Sequence, residues 1–419
     1  MRLRFIYRII IFLICILQLV IGPFLSYVLF NENNTDVLAF NYFMSVPMFD
    51  YYLIVIPSLI AFYFGLFYKF NFIKHNLPKI DLYKTLQYLK SSKKNFKVGL
   101  LIFVFNCFAF TLSELNIFFH VNISSRILDS SILVGLFYFL YSKNIFRKPF
   151  ICITYLFFLF KSIQTGMFGT LFFTTFLIGM FYINFRNFSL RKFFFNSILA
   201  IFLFVSFQSI KSEYREATFD GTNKNSNISL YFELLANNFT NPELLFNKQT
   251  LFFLNIRLNQ GHFLSKVFEH VPQYEDYTYG SNVVTGIAAA FVPRILWKDK
   301  PLSGGKDEIV KYANVEHDGQ TSINISPIGE AYVVYGFISS ILLMYLFGLF
   351  INFVWSKFEY HSVSKPNLLL WLPVFILPMF QAPEENISTL LNYLIKFLFI
   401  FYILYLILPK YFFYSKHIR

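Results

Sequence analysis

The sequence predicts an all-α polytopic integral membrane protein with about ten transmembrane helices and one large extracytoplasmic loop. Three observations predict it. Of 419 residues, 56% are hydrophobic and 22% aromatic, above the roughly 45–50% apolar content of ordinary soluble domains. Apolar runs of membrane-crossing length recur along the chain, while only 14% of residues are charged. The pattern breaks for long only once, between residues 211 and 330, where charged, polar and glycine residues accumulate together.

The net charge of +13 does not point to nucleic acid, because the basic residues sit in short clusters between apolar runs. Cys15, Cys107 and Cys152 all lie inside apolar runs, which argues against a disulfide framework and against a cysteine metal site. Arg2, Arg4 and Arg8 precede the first run, as in a signal peptide. Residues 9–30 nevertheless lack a small-residue cleavage pattern and extend about 33 Å as a helix, so a retained first span is expected.

Taken in order, the expected spans are 9–30, 51–68, 98–118, 127–142, 149–161, 166–184, 193–210, 331–355, 367–381 and 388–408. Lys and Arg gather in segments 69–97, 143–148, 185–192 and 356–366 and in the tail after 409, all of which fall on one side if the N-terminus is cytoplasmic. The basic clusters on either side of 149–184 require an even number of crossings there, hence two short helices. Segments 31–50 and 382–387, on the opposite side, carry neither Lys nor Arg. Three regions follow: spans in 1–210, an extracytoplasmic loop over 211–330, and spans in 331–419, with both termini cytoplasmic. Long translocated loops escape the charge rule, so the charges of 211–330 do not oppose this arrangement.

Within the loop, 231–246 and 251–268 show helical spacing of apolar residues and are expected to lie as amphipathic helices. Residues 283–292 are apolar but too short to cross. Gly304-Gly305 and Asp318-Gly319 mark turns.

Arg294 heads a segment with Trp297, Lys298, Asp299 and Lys300. Arginine offers a planar fork of donors suited to a pyrophosphate, although an interfacial Trp with snorkelling Arg and Lys has the same composition. Arg215 and Arg257 either converge with Arg294 on one anionic site or are separately solvated. Glu330, where the chain re-enters an apolar run, either caps its own helix through the dipole or acts as a general base toward a sugar hydroxyl. His262, His270 and His317 lack zinc spacing, so no metal is expected. Lys161, Glu114 and Lys396 fall in apolar runs, with Lys396 deepest, and would suit a transport path only with further partners.

The segment from Val292 to Pro301 (VPRILWKDKP), followed by residues 321–327 and by Gly329-Glu330-Ala-Tyr332-Val-Val-Tyr-Gly336, resembles bacterial O-antigen or capsular repeat-unit polymerases of the Wzy type. The motif likeness covers about 45 residues, and the rest is architectural. Lys298 replaces the proline that usually follows the tryptophan. What the resemblance implies is a GT-C-like, inverting, metal-independent glycosyltransferase without cofactor in the bacterial inner membrane. Its substrate would be an undecaprenyl-pyrophosphate-linked oligosaccharide, with the reaction at the outer face, and its further partners membrane lipid and a chain-length regulator. The catalytic residues would be Arg294, Arg257 and Glu330, with Arg215, Lys298, Lys300 and Tyr332 binding substrate. Related alternatives are an O-antigen ligase and, from another class, a lipid-linked oligosaccharide flippase.

Overall fold

A computed structural model describes residues 3–29, 43–69, 82–114, 125–165, scattered positions between 171 and 224, and then 228–241, 248–292, 296–298, 300–301, 305–316 and 323–407. In chain order the helices begin with α1 (Leu3–Ile16), α2 (Gly22–Leu29), α3 (Met48–Phe67), α4 (Leu82–Ser91), α5 (Lys94–Glu114), α6 (Ser125–Leu140) and α7 (Arg147–Thr165). Next comes a two-residue antiparallel pair, β1 (Phe219–Asp220) with β2 (Asn223–Lys224), in which Phe219 faces Lys224. The helices resume with α8 (Ile228–Thr240), α9 (Lys248–Leu258), α10 (Gly261–His270), α11 (Ser281–Phe291) and α12 (Lys306–Ala313). The last are α13 (Ser326–Ser364), α14 (Leu372–Phe380) and α15 (Ile387–Ile407). Among the described residues every regular element is thus a helix apart from that one pair.

Three of these helical stretches are long and apolar enough to cross a membrane: Tyr7–Val28, Met48–Phe67 and Ser326–Ser362. Their outer faces fit that solvent. Leu13, Leu17, Ile21, Phe24 and Val28 recur at three- and four-residue spacing and are all exposed, as are Leu53, Ile56, Ile60 and Phe64 on α3. The expected spans at 98–118, 127–142, 149–161 and 388–408 coincide with α5, α6, α7 and α15, which are not among those three stretches within the described residues. Spans 166–184 and 193–210 lie almost wholly outside those residues. The run at 367–381 is not one helix: a 3₁₀ stretch from Pro366 to Trp371 leads into the nine-residue α14.

The chain forms two compact units, one of residues 1–79, 255–368 and 378–419, the other of 80–254 and 369–377. In the second unit α5 and α6 pack through glycines, Gly99 lying against the Phe139 ring and Gly135 against Ile102. Asn95 ties the ends of two helices together, its amide donating to the carbonyls of Leu89 and Tyr141 at 2.8 and 2.7 Å. Trp371 donates its indole N–H to Tyr138 at 3.1 Å. A cluster of Ile163, Ile210, Tyr214, Tyr231 and Leu234 fills a further part of this core.

The first unit holds the features that position the site. Between α1 and α2 the helix widens into a π turn, Leu17–Ile21. Such a turn loosens backbone carbonyls, and here three of them find donors: Gln18 accepts from the Gln260 N–H at 3.2 Å, Leu19 from the Tyr51 hydroxyl at 3.0 Å, and Val20 from the Tyr52 hydroxyl at 2.8 Å. Just beyond, Gly22 lets the end of α9 dock. A Cβ there would stand 2.2 Å from the Leu258 carbonyl oxygen. Ser26 then accepts from Asn255 and Asn259 at 2.7 and 2.6 Å.

Helix α13 is longer than the 331–355 expected, and it is broken. Tyr335 and Gly336 leave helical geometry, Gly336 at φ 68°, a conformation that glycine alone reaches without strain. Backbone groups freed by the break find other partners: Thr278 and Tyr279 donate to the carbonyls of Val333 and Val334 at 2.8 and 3.1 Å, and the hydroxyl of Ser339, on the same helix, accepts from the Tyr335 N–H at 2.8 Å. The loop helix expected over 251–268 is likewise two helices, because the chain breaks at Asn259 and Gln260 between α9 and α10. Asn259 causes that break locally by accepting the His262 N–H at 3.0 Å.

Candidate active site at the turn before the last helix

Residues Gln381 to Ser388 carry the chain from α14 into α15 through a 3₁₀ turn, Ala382–Glu384, with Pro383 fixing its start. Glu385 is extended (φ −123°, ψ 149°), so successive side chains leave the turn in different directions. Glu384, Glu385, Asn386 and the Ser388 backbone each find a partner elsewhere in the first unit. Glu384 accepts from Arg257 at 2.8 Å and from Gln18 at 2.7 Å. Glu385 accepts from Asn324 at 3.0 Å, and Asn386 donates to the Glu308 carboxylate. The Ser388 N–H donates to both carboxylate oxygens of Glu330, at 3.1 and 3.4 Å.

Glu330 was expected either to cap its own helix or to act as a base. It caps, but the capped helix is α15, whose second residue is Ser388. The side chain is 1% exposed. Asn282 holds its backbone in place by donating to the Glu330 carbonyl at 3.3 Å. Gly286 of α11 permits the close approach to α15, since a Cβ there would stand 2.6 Å from Ser388 Cβ.

Beside Glu330 lies a cavity of about 290 Å³ between α11, α13 and α15. Val283, Ile287, Leu343, Leu346, Phe347, Phe350 and Leu391 supply most of its wall, and Glu330 and Ser388 are the polar members of the lining. A buried carboxylate therefore faces an apolar hollow, an arrangement suited to chemistry at one end of a hydrophobic ligand.

Arg257, the expected catalytic arginine on α9, is brought to this site and held there. Its ion pair with Glu384 fixes the guanidinium, while the side chain remains 36% exposed and retains donors for an anion. Glu384 itself is braced by Gln18, so the π turn of the first helix supports the arginine at second hand. Arg294 and Arg215 lie outside the described residues. Lys298 is exposed, and Lys300 donates to the Val292 carbonyl at 2.8 Å, closing its own loop. Tyr332 is nearly buried, its ring 4.6 Å from that of Phe268 and 6.3 Å from that of Tyr277, so it is wall more than contact surface.

Among the described residues no group of His, Cys, Asp and Glu is disposed to hold a metal ion. His262 is structural: its Nδ1 lies 2.8 Å from the Phe43 carbonyl, and burial lowers the imidazole to about 4, with Lys266 adding to the effect. His317 lies outside the described residues. Lys396 stands on an exposed side of α15 and is not enclosed among other helices.

The sequence reading missed Glu308 and the whole 384–386 triplet. Burial raises the Glu308 carboxyl to about 8, and the charges of Glu330 and Asp307 add to the shift. The native state binds this proton more tightly than the unfolded chain, so stability from it is complete below the ordinary carboxylate range and declines as pH rises toward 8. Thermal unfolding of the detergent-solubilised protein is expected to show that decline, at most about 1.4 kcal/mol per pH unit. Glu308→Gln is expected to flatten it, and an unchanged pH profile in the variant would remove Glu308 as its source.

No curated protein and no solved structure matches the chain. Arg257, Glu308, Asn324 and Glu330 fall within a family match over residues 61–361, whereas Gln18 and the turn 381–388 lie outside it. By that match, the chain belongs to the family described as a domain of unknown function, DUF8712.

Proposed function

We propose that this protein polymerises undecaprenyl-pyrophosphate-linked oligosaccharide repeat units by inverting, metal-independent glycosyl transfer. In this reading it is a multi-pass enzyme of GT-C-like architecture in the bacterial inner membrane, with its site at the outer face. The observation that carries the proposal is the apolar cavity ending on buried Glu330, with Arg257 anchored to the adjoining turn. A lipid-linked sugar has the matching parts: a hydrocarbon chain, a doubly charged pyrophosphate and a reacting anomeric carbon between lipid and glycan.

In the reaction, a hydroxyl of the incoming repeat attacks the anomeric carbon of the growing chain. The new C–O bond forms as the bond to pyrophosphate breaks, Glu330 takes the hydroxyl proton, and Arg257 stabilises charge on the departing lipid pyrophosphate. Holding both substrates in line supplies much of the remaining acceleration.

The test is reconstitution of the full chain in proteoliposomes containing the lipid-linked repeat unit. The expected result is a ladder of lipid-linked polymers with release of lipid pyrophosphate. One feature favours a second reading, a flippase: the break at Tyr335–Gly336 in a membrane-length helix, a device common in transporters. Movement of the lipid-linked unit across the bilayer without any new glycosidic bond would replace the polymerase with that reading. Transfer of finished chains to another lipid would identify a ligase.

A further inference from the structure

The break in α13 exposes a stepped row of aromatic rings. Phe268 meets Tyr332 at 4.6 Å, Tyr332 meets Tyr277 at 6.3 Å, Tyr277 meets Tyr335 at 5.7 Å, and Tyr335 meets Tyr279 at 6.0 Å. The row runs from buried to open: Tyr332 is 8% exposed, Tyr335 55% and Tyr279 74%. Tyr335 is tilted by 46° and 47° against its two neighbours, so the outer rings are not stacked face to face.

This row is held rigidly. The 277–279 segment is pinned to the broken helix by the two backbone bonds to Val333 and Val334, and Thr278 is bonded to Asn282 at 2.6 Å. Tyr277 lies so close that a Cβ on Gly336 would stand 2.7 Å from its hydroxyl. Asn282 in turn donates to the backbone of Glu330, which connects the row to the carboxylate of the cavity.

We infer that Tyr277, Tyr335 and Tyr279 form a saccharide-binding track leading away from Glu330. Flat amphipathic rings present an apolar face to the C–H face of a pyranose and a hydroxyl to its neighbours. Polar groups accompany them: Asp276 is exposed, Glu275 is paired with Lys311 at 3.1 Å, and Thr278 and Asn282 lie alongside. A lipid surface would reject those carboxylates, whereas sugar hydroxyls match them. The inference rests on the proposed polymerase and extends it. The apolar cavity on one side of Glu330 takes the lipid, and the tyrosine track takes the glycan, with its outer rings gripping chains of several sugars and keeping them in place for further addition.

The experiment uses the full chain in nanodiscs. Its probe is oligosaccharide of two to four repeats released by mild acid from the cell's own surface polymer. Tyr279→Ala and Tyr335→Ala are each expected to weaken binding on the order of fivefold. In proteoliposomes supplied with the lipid-linked repeat, each is expected to shorten the polymer. Trp at either position is expected to restore binding and Leu is not, because Leu keeps apolar area but lacks the flat face. Rescue by Leu would mark a lipid-contact surface and overturn the inference, as would wild-type affinity in the alanine variants or no binding by the wild type. Binding is measured without turnover, so a wild type that binds the oligosaccharide through these rings yet makes no polymer would defeat the polymerase reading and leave the track standing.

Discussion

Glu330→Gln is expected to lower the rate of glycosidic bond formation by about a hundredfold or more, with little change in KM. Glutamine keeps the volume and retains one carbonyl oxygen to accept the Ser388 N–H, so the junction of α13 with α15 stays in place. On the proposed polymerase reading, what is lost is the ability to take a proton from the attacking hydroxyl. Among the described residues the cavity wall is otherwise apolar apart from Ser388, and no second carboxylate lines it to take over. The check is single-turnover kinetics in proteoliposomes. A variant with wild-type rate would place the base elsewhere and return Glu330 to a purely capping role.

Gly348→Leu is expected to destabilise the protein by about 3 kcal/mol or more, a large part of the 5–15 kcal/mol that typically separates folded from unfolded chains. Helices α3 and α13 touch backbone to backbone through two glycines. A Cβ on Gly348 would stand 2.5 Å from the Phe62 carbonyl oxygen, and one on Gly65 would stand 2.3 Å from that of Tyr345. Neither neighbour is a flexible side chain that can swing away, so the helices must separate. Separation also strains the contacts of Asn352, which donates to the carbonyls of Gly65 and Tyr68 at 3.1 and 2.8 Å and accepts from Arg8. Small residues at such crossings are the means by which helices associate in lipid. The measurement is the melting temperature and membrane yield of the variant. Wild-type values would mean that the two helices are held by contacts elsewhere.

The helices near 51–68 and 388–408 were legible because apolar runs of fixed length leave few alternatives, and they lie within a few residues of α3 and α15. Glu330 was legible as an acid at a membrane boundary, and Arg257 as an arginine in a polar interval. Their setting was not. Segment 382–387 reads as a short outer loop without Lys or Arg, and nothing in it signals that Glu384 pairs with a residue 127 positions earlier and accepts from another 366 positions earlier. The π turn at Leu17–Ile21 leaves no mark on composition, because the residues that satisfy it, Tyr51, Tyr52 and Gln260, come from elsewhere. Tyr335 and Gly336 stood in plain view within the Gly-Glu motif. The break there became evident only with the 277–279 segment that occupies it, since a lone glycine in an apolar run is compatible with a continuous helix.

The turn at 381–388 also bears on how the protein is made. A ribosome delivers Gln18, Arg257, Glu308, Asn324 and Glu330 to the membrane long before it synthesises Glu384, Glu385, Asn386 and Ser388. Until then those five side chains lack the partners that the finished site gives them, and unpaired polar groups in lipid are costly. The nascent chain must therefore keep them near water until the 381–388 turn is made. A chain truncated before Gln381 would hold three of the longest apolar helices and the arginine, and yet have no assembled site.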